Sequence, residues 1–520
     1  MRRVVVTIVS IFLTSVACAD WPYPTPTPAP APGCNYYVST SGADSNPGSA
    51  SRPWLHIQFA IAHLGDGQVA CVAPGVYASS YDNSGNIRIT SSGAEGRPKV
   101  LTAQDPGALP QIRSLWISAS YWLVDHLDVS NQSNAYGVEI SGNATGVSIT
   151  NNYIHELCRG GIYASNATSQ LTITGNRVWH AQMAGISFGG ANSLVSLNEI
   201  WDTRELPWLA GGIYASCTDP QPDSCRDDAD GIRFFGTGHI IRQNYIHDIP
   251  VNHASGGPID QQAPHTDCFQ TWNNHGQAAG GNILIEQNWC RWPAPYLATP
   301  ADVSPWAGRG CVGSNHIASI EDATGTITWQ NNVFANSGHG IIVSGSAAHH
   351  IWNNTFDHVQ AEAIEVHPDT VSDWLIQSNI FFDSGNGRDG WLAWKNQSGV
   401  KIGSNDFYMR TGAPGGNLYW GGGTAPSYTA VDPQFVSTGN STGAGSDYRL
   451  RDSSPLAASG ETVVSVSNDI EGNPRLAGHY SFGAFQPACG AASPCGLLNR
   501  AGARPRDSES IAPHWTDHPK

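Results

Sequence analysis

The middle of the chain repeats a short motif in which a β-branched stretch ends in Asn followed by an apolar residue. Stretches of three to five residues with this pattern predict short β-strands. Consecutive copies are separated by one unit of about 22 to 26 residues or by two such units. The repeated Asn residues are Asn152, Asn176, Asn198, Asn244, Asn288, Asn332, Asn354, Asn379 and Asn405.

A unit of this length is too short for a strand and a crossover helix, but it holds three short strands joined by turns. We therefore predict an all-β fold, a single-stranded right-handed parallel β-helix of about 11 to 13 coils. Asn suits each bend because it tolerates a left-handed backbone, and stacked Asn amides can bond between coils. A leucine-rich repeat or a propeller is not predicted, because the chain lacks a Leu framework and a blade-length period.

A second element repeats in phase, a strand that begins after a small or acidic residue, such as GGIYAS from Gly160 and DGIRFF from Asp230. We expect these strands to stack into one parallel sheet with an apolar ladder on its inner side. The expected inner residues are Ile162, Ile186, Ile213, Ile232, Phe269, Ile341 and Ile364. The residues at the strand starts are expected to form a second column: Gly160, Ala184, Gly211, Asp230, Asp267, His339 and Glu362.

The amino terminus has the pattern of an export signal. Arg2 and Arg3 precede an apolar run that is too short to span a bilayer, and Ala17-Cys18-Ala19 supplies small residues for cleavage. We predict a signal peptide over residues 1–19 and secretion; the alternative is a lipid-anchored surface protein attached through Cys18. Residues 20–33 form a proline-rich linker, 34–498 the β-helix domain and 499–520 a flexible polar tail.

Composition and charge narrow the partners. The formal net charge of -16 disfavours a nucleic acid partner, and no nucleotide-binding or phosphate-binding motif is present. We expect a polysaccharide partner, no membrane span, no organic cofactor and a monomer. The sequence has eleven Cys, and removal of the predicted signal peptide with Cys18 leaves ten, an even number that can pair in disulfides. Cys217 with Cys225 and Cys489 with Cys495 are close enough in sequence to close small loops, although the connectivity stays open.

The two ends of the predicted domain resemble those of known proteins. The opening YYVSTSGADSNPGSASRPWLHIQFAIAHLGDGQVACVAPGVY and the closing run with VDPQFV, DYRLRDSSPLAASG and SFGAFQP resemble segments of bacterial β-helix polysaccharide lyases, such as the pectate lyase and alginate lyase families. The resemblance implies a helix near Ile57–Leu64 that caps the open end of the solenoid. It also implies an enzyme acting on polysaccharides, although this fold supports several chemistries.

Candidate chemistry gathers around Asp230 and Asp267. On adjacent rungs their backbones would be about 4.8 Å apart, and two carboxylates that close share a proton or bind a cation. The candidate catalytic residues are Asp230, Asp267, His265, Arg233 and Arg242. The candidate Ca²⁺ ligands are Asp227, Asp228, Asp230 and Asp267. The candidate substrate-binding residues are Gln270, Trp272, Trp208, Trp306, Tyr214, His339, Glu362 and Lys395.

Three functions compete. A lyase would use Ca²⁺ to neutralise a uronate carboxylate and a base such as Arg242, Arg233 or Lys395 to remove the α-proton by β-elimination. A glycoside hydrolase would divide acid and base roles between Asp230 and Asp267. A non-catalytic surface protein would only bind carbohydrate. The resemblance favours the lyase.

Overall fold

The structure is a computed structural model of the whole chain. It describes residues 33–77, 86–130, 135–203, 229–249, 266–274, 276–292, 315–368, 371–384, 392–394, 399–410, 419–420, 428–438, 446–463, 465–475 and 480–487.

Three long sheets dominate the described residues, and within each of them every pairing is parallel. Sheet A has thirteen strands: β1 (Tyr36–Val38), β2 (Val69–Val72), β5 (Lys99–Ala103), β8 (Trp122–Asp125), β11 (Ser148–Thr150), β14 (Thr172–Thr174), β17 (Leu194–Ser196), β20 (Ile240–Arg242), β23 (Gly281–Glu286), β26 (Thr324–Gln330), β29 (Ala348–Trp352), β32 (Trp374–Gln377) and β35 (Val400–Ile402).

Sheets B and C have twelve strands each. Sheet B contains β4 (Asn86–Ile89), β7 (Ser114–Ile117), β10 (Val138–Ile140), β13 (Ile162–Ala164), β16 (Ala184–Phe188), β19 (Asp230–Phe234), β22 (Thr266–Thr271), β25 (Asn315–Ile320), β28 (His339–Val343), β31 (Ile364–Val366), β34 (Leu392–Trp394) and β37 (Tyr419–Trp420). Sheet C contains β3 (Gly75–Val76), β6 (Pro110–Ile112), β9 (Asp128–Ser130), β12 (Tyr153–His155), β15 (Arg177–Trp179), β18 (Glu199–Trp201), β21 (Tyr245–His247), β24 (Trp289–Arg291), β27 (Val333–Ala335), β30 (Thr355–Asp357), β33 (Ile380–Phe382) and β36 (Asp406–Tyr408).

Each coil contributes one strand to sheet B, one to sheet A and one to sheet C, in that order along the chain. This is a right-handed parallel β-helix, and its twelve or thirteen rungs confirm the predicted number of coils. The helix α1 (Ile57–His63) buries Ile57, Ala60 and Ile61 at the amino-terminal end, which confirms the predicted cap. It protects a strand edge that would otherwise be open to pairing.

The inner ladder of sheet B agrees with the sequence pattern except at one position. Ile162 pairs with Ile186, Ile186 with Ile232 and Ile232 with Phe269, and all four are buried. β16 pairs directly with β19, so no rung can lie between them. Gly211 and Ile213, which were expected to form such a rung, lie outside the described residues, and the pairing leaves no place for them between Ile186 and Ile232.

The repeated Asn residues form a buried ladder at the bend between sheets A and C. The Nδ2 group of each donates to the Oδ1 atom of the next at 2.9–3.1 Å. The left-handed residue of the bend is the one before the ladder Asn, for example Asn151 with φ 53°, Gln243 with φ 56° and Asn353 with φ 54°. The ladder Asn is thus selected for its stacked amide and not for a left-handed backbone.

The carboxy-terminal segment folds back over sheet C. Its antiparallel hairpin, β38 (Phe435–Thr438) and β39 (Ser446–Leu450), packs against Ile380 and Phe382. The hydroxyl of Tyr448 donates to a carboxylate oxygen of Asp357. This contact covers the later coils of sheet C.

Two disulfides are fully described, Cys34–Cys71 and Cys268–Cys290, and Cys158 is also disulfide-bonded. Cys268–Cys290 joins a rung of sheet B to the following strand of sheet C. The predicted disulfide residues Cys217, Cys225, Cys489 and Cys495 lie outside the described residues. Among the helices of the described chain, none is long and apolar enough to cross a membrane.

Candidate active site

A column of polar side chains lies at the start of five neighbouring strands of sheet B. Asp267 pairs with His316, and His316 pairs with His339. The alignment of Ile232 with Phe269 places Asp230 on the rung before Asp267, and that of Ile341 with Ile364 places Glu362 on the rung after His339. Three long connections from sheet C enter sheet B at these rungs, between residues 201 and 230, 247 and 266, and 291 and 315. Functional sites favour such a rigid sheet bordered by long connections.

Asp230 anchors the first rung of this polar column. Its side chain is 0% exposed, and one of its oxygens accepts a hydrogen bond from the Arg233 Nε at 2.5 Å. Its other oxygen accepts the backbone N–H of Asp267 at 2.9 Å. Because a buried carboxylate needs compensating donors, these bonds fix Arg233 and the neighbouring rung relative to Asp230.

Asp267 lies against an imidazole on the next rung. It is 0% exposed, and its Oδ1 lies 3.1 Å from Nδ1 of His316, which is 6% exposed. A carboxylate on one ring nitrogen sets the orientation of the ring and leaves the other nitrogen for proton transfer. The His316 ring meets the His339 ring edge to face, with centroids 5.0 Å apart.

The last rungs form an acidic group with one imidazole. Nδ1 of His339 lies 3.7 Å from a carboxylate oxygen of Glu362, and the His339 side chain is 33% exposed. The potential ligand atoms of His339, Glu362 and Glu365 all lie within 4.8 Å of one another. In the described part of the chain this is the group whose spacing would suit a metal ion.

A second column runs beside the first, three residues further along each strand. Ser187 pairs with Arg233, Arg233 with Gln270 and Gln270 with Ser319. The Arg233 guanidinium lies 5.3 Å from the ring centre of Trp272, and Phe235 packs edge-on against the same ring. Trp272 therefore restricts the orientation of the guanidinium. The structure places Arg233, Gln270 and Trp272 beside the acidic pair, and their roles in catalysis and substrate binding stay predictions.

Arg242 does not belong to this site. It lies on β20 of sheet A, where it pairs with Ser196 and Glu286. The chain turns between Phe234 and Ile240, so the next strand faces another side of the solenoid. The prediction that Arg242 acts as a base beside Asp230 is wrong for this reason.

Several predicted site residues cannot be placed. They belong to the long connections or to a short stretch near β34, outside the described residues: Asp227, Asp228, His265, Trp208, Tyr214, Trp306 and Lys395. Their assignment to metal binding, catalysis or substrate binding stays a prediction.

Sequence reasoning missed His316 and Ser319. Their strand, NHIASI, begins after neither a glycine nor an acidic residue, so it does not match the motif of the other rungs. The signal that could have found it is the length of chain between Asp267 and His339, 72 residues, which exceeds one repeat and leaves room for a further rung.

Comparisons with known proteins agree with this architecture. Residues 115–248 match the family model described as "Right handed beta helix region". No curated protein matches the chain. Among solved structures, pectate lyase Pel9A is 16% identical with a TM-score of 0.41, covering 87% of this chain and 96% of that one. A rhamnogalacturonan lyase is 12% identical with a TM-score of 0.42, covering 78% and 91%.

A third solved structure, GH136 lacto-N-biosidase from Eubacterium ramulus, is 12% identical with a TM-score of 0.38, covering 76% of this chain and 66% of that one. The three parallel sheets identify the fold as a right-handed parallel β-helix, and the family match over residues 115–248 agrees with it.

Proposed function

We propose that the protein is a secreted carbohydrate-active enzyme that cleaves a uronic-acid-containing extracellular polysaccharide by β-elimination. One observation carries the proposal: a continuous set of contacts runs from the Arg233 guanidinium through Asp230 and Asp267 to the His316 imidazole. Elimination needs a cation for the carboxylate and a base for the α-proton, and these contacts hold one of each on nearby rungs.

In the proposed reaction Arg233 binds the uronate carboxylate and so acidifies the hydrogen on the adjacent carbon, C5. The His316 imidazole removes that proton, the electron pair forms a C4=C5 double bond, and the bond from C4 to the glycosidic oxygen breaks. The leaving oxygen then takes that proton from the imidazolium, which restores neutral His316. Arg233 is assigned to binding because a guanidinium stays protonated and has no free lone pair to accept the proton.

Asp267 is assigned to positioning. Its carboxylate lies on Nδ1 of His316, so Nε2 is the nitrogen that faces the substrate in this proposal. A buried carboxylate also stabilises the imidazolium that forms during proton transfer. Asp230 has the corresponding role for Arg233.

A glycoside hydrolase with Asp230 and Asp267 as acid and base is the alternative. Their adjacent rungs bring the backbones to about 4.8 Å, which suits the close carboxyl pair of a retaining enzyme. However, both oxygens of Asp230 already accept hydrogen bonds, one of them from a guanidinium. A carboxylate engaged in this way is a poor proton donor, so the contacts favour elimination.

Calcium stays a prediction. Of the four carboxylates proposed as ligands, Asp227 and Asp228 lie outside the described residues, and Asp230 is engaged with Arg233 and the Asp267 N–H. Ca²⁺ prefers six to eight oxygen ligands, and the described members do not offer such a set by themselves. We therefore assign no step of the reaction to the ion.

The test is a screen of the purified protein on pectate, alginate, glucuronan and a neutral glucan, recording ultraviolet absorbance of unsaturated ends and total reducing ends. We expect both signals on at least one polyuronate and neither on the glucan. Reducing ends without ultraviolet absorbance would replace the lyase by the hydrolase, and silence on all substrates would leave a carbohydrate-binding protein. Repeating the assay with a chelator and then with added Ca²⁺ tests the calcium prediction separately.

Two variants connect the activity to the site. Replacing Arg233 by Gln removes the cation, and we expect kcat/KM to fall by about 10²-fold or more, the loss of a charge-assisted contact made in the transition state. Arg177→Gln is the matched control, because Arg177 also pairs with a carboxylate, Glu199, but lies on sheet C. Equal activity of the two variants would overturn the assignment of the site.

A further inference from the structure

A cluster of two aromatic rings and a guanidinium lies on sheet B, next to the polar column. The rings of Tyr136 and Tyr163 stack with centroids 4.7 Å apart and an interplanar angle of 15°. The Arg159 guanidinium lies 4.7 Å from the centre of the Tyr136 ring. All three side chains are partly exposed, so this platform is accessible from the surface of the sheet.

A glycine makes the platform possible. A Cβ atom added to Gly160 would lie 3.2 Å from two carbons of the Tyr136 ring and 3.1 Å from the carbonyl oxygen of Ala184. The bare backbone at Gly160 therefore lets the Tyr136 ring lie across the neighbouring coil and reach Tyr163. The sequence GGIYAS supplies both the glycine and the second tyrosine.

The platform is continuous with the polar column of the proposed active site. Tyr163 pairs with Ser187 and Ser187 with Arg233, so two rungs, or about 10 Å, separate Tyr163 from Arg233. Burial raises the pKa of the Tyr136 hydroxyl and the charge of Glu139 adds to that rise, whereas the positive charges of Arg159 and Arg233 oppose it. On the rung between them Met183 and Ser187 are partly exposed and Ala184 is buried.

Within the described residues Arg159 contacts a ring face and no carboxylate, as Arg88 does over the Trp116 ring. Several arginines pair with a carboxylate, among them Arg233, Arg177, Arg410 and Arg449. Arg159 makes no ion pair with any carboxylate of the described residues. It is a partly exposed cation, held by a ring face, in a chain with a formal net charge of -16. Such a cation lowers the local repulsion of an anionic ligand at one place on an acidic surface.

We propose that Arg159, Tyr136 and Tyr163 form a binding subsite for a carboxylate-bearing sugar unit, two rungs from Arg233 toward the amino-terminal end of the solenoid. The guanidinium binds the carboxylate, and the exposed part of the tyrosine pair packs against the sugar ring. This inference rests on the proposed function, because it extends the same substrate chain along sheet B. It makes Arg159 a specificity determinant for uronate over neutral sugar.

The test uses the full chain with two single substitutions, Arg159→Ala and Tyr163→Ala. Their matched controls are Arg177→Ala and Tyr153→Ala, which remove a similar arginine and tyrosine that contact each other on sheet C. Binding of tetragalacturonate and tetramannuronate is measured by calorimetry at two salt concentrations, with cellotetraose as the uncharged comparison. Steady-state kinetics on the corresponding polymers give kcat and KM.

We expect Arg159→Ala to weaken binding of the charged tetrasaccharide about tenfold or more and to reduce its salt dependence, while the contact with Arg233 remains and kcat stays within about twofold. Tyr163→Ala should weaken binding by a smaller factor, and neither control should change it. Unchanged affinity and KM in Arg159→Ala would overturn the subsite while leaving the elimination reaction intact. Conversely, charged-oligosaccharide binding that needs Arg159 in a protein without lyase activity would support the subsite and reject the proposed reaction.

Discussion

Replacing His316 by Ala removes the proposed base. General bases contribute about 10²- to 10⁴-fold to the rate, so we expect kcat to fall by about that factor, with KM changed little. Asp267 acts on the substrate only through its contact of 3.1 Å with His316. Asp267→Asn should therefore lower kcat by a smaller factor, since the amide keeps the shape but loses the charge that orients and stabilises the imidazole.

The double variant Asp267→Asn with His316→Ala tests whether Asp267 acts through His316. If Asp267 acts through His316, the double variant should be no slower than His316→Ala alone, because the carboxylate has no base left to position. Two fully additive losses would show that Asp267 contacts the substrate independently. The assay is the initial rate of ultraviolet absorbance on the polyuronate that the wild type cleaves, with folding checked by circular dichroism.

A matched pair on another sheet controls for structural damage. His155 lies 2.9 Å from a carboxylate oxygen of Asp128 on sheet C, and both are partly buried. His155→Ala and Asp128→Asn break the same kind of contact away from sheet B. We expect both to retain wild-type kcat, and a loss equal to that of His316→Ala would refute the reasoning that the position of the pair on sheet B matters.

Three further predictions concern stability. Asn244→Ala removes the bonds from Asn244 to Asn288 and Val195 and leaves donors of Asn198 unpaired. Urea unfolding should show that the free energy of unfolding falls by about 3 to 5 kcal/mol, against about 0.5 kcal/mol or less for Asn143→Ala at an exposed position. Burial raises the pKa of the Asp406 carboxyl from 3.8 to about 7. The folding stability that the protonated carboxyl contributes is therefore fully present below pH 3.8 and is lost as the pH rises toward 7. Asp406→Asn should therefore raise the melting temperature at pH 8 relative to the wild type and flatten its pH dependence, and an unchanged pH profile would contradict the assignment. Because Cys268–Cys290 joins the rung of Asp267 to sheet C, mild reduction should lower the melting temperature and the activity together.

The platform at Arg159 and the pair at His316 show where sequence reasoning stops. Gly160 and Tyr163 lie in a recognised repeat, but the stacking of Tyr163 on Tyr136 depends on a register between two coils. His316 lies in a strand without the repeated motif, and it becomes recognisable only as the partner of Asp267. Arg242 shows the reverse case: it is close to Asp230 in the sequence, but it lies on another sheet.

The sequence by itself determined the coil. A fixed period, β-branched strands and one Asn per bend predict the solenoid, the inner apolar ladder and the capping helix, because each depends on contacts that repeat with the period. Only the tertiary structure decided which polar residues meet. Connections of very different length separate the rungs of sheet B, so neighbours such as Asp267 and His316 are 49 positions apart in the sequence, and the parallel register rather than the sequence distance brings their side chains together.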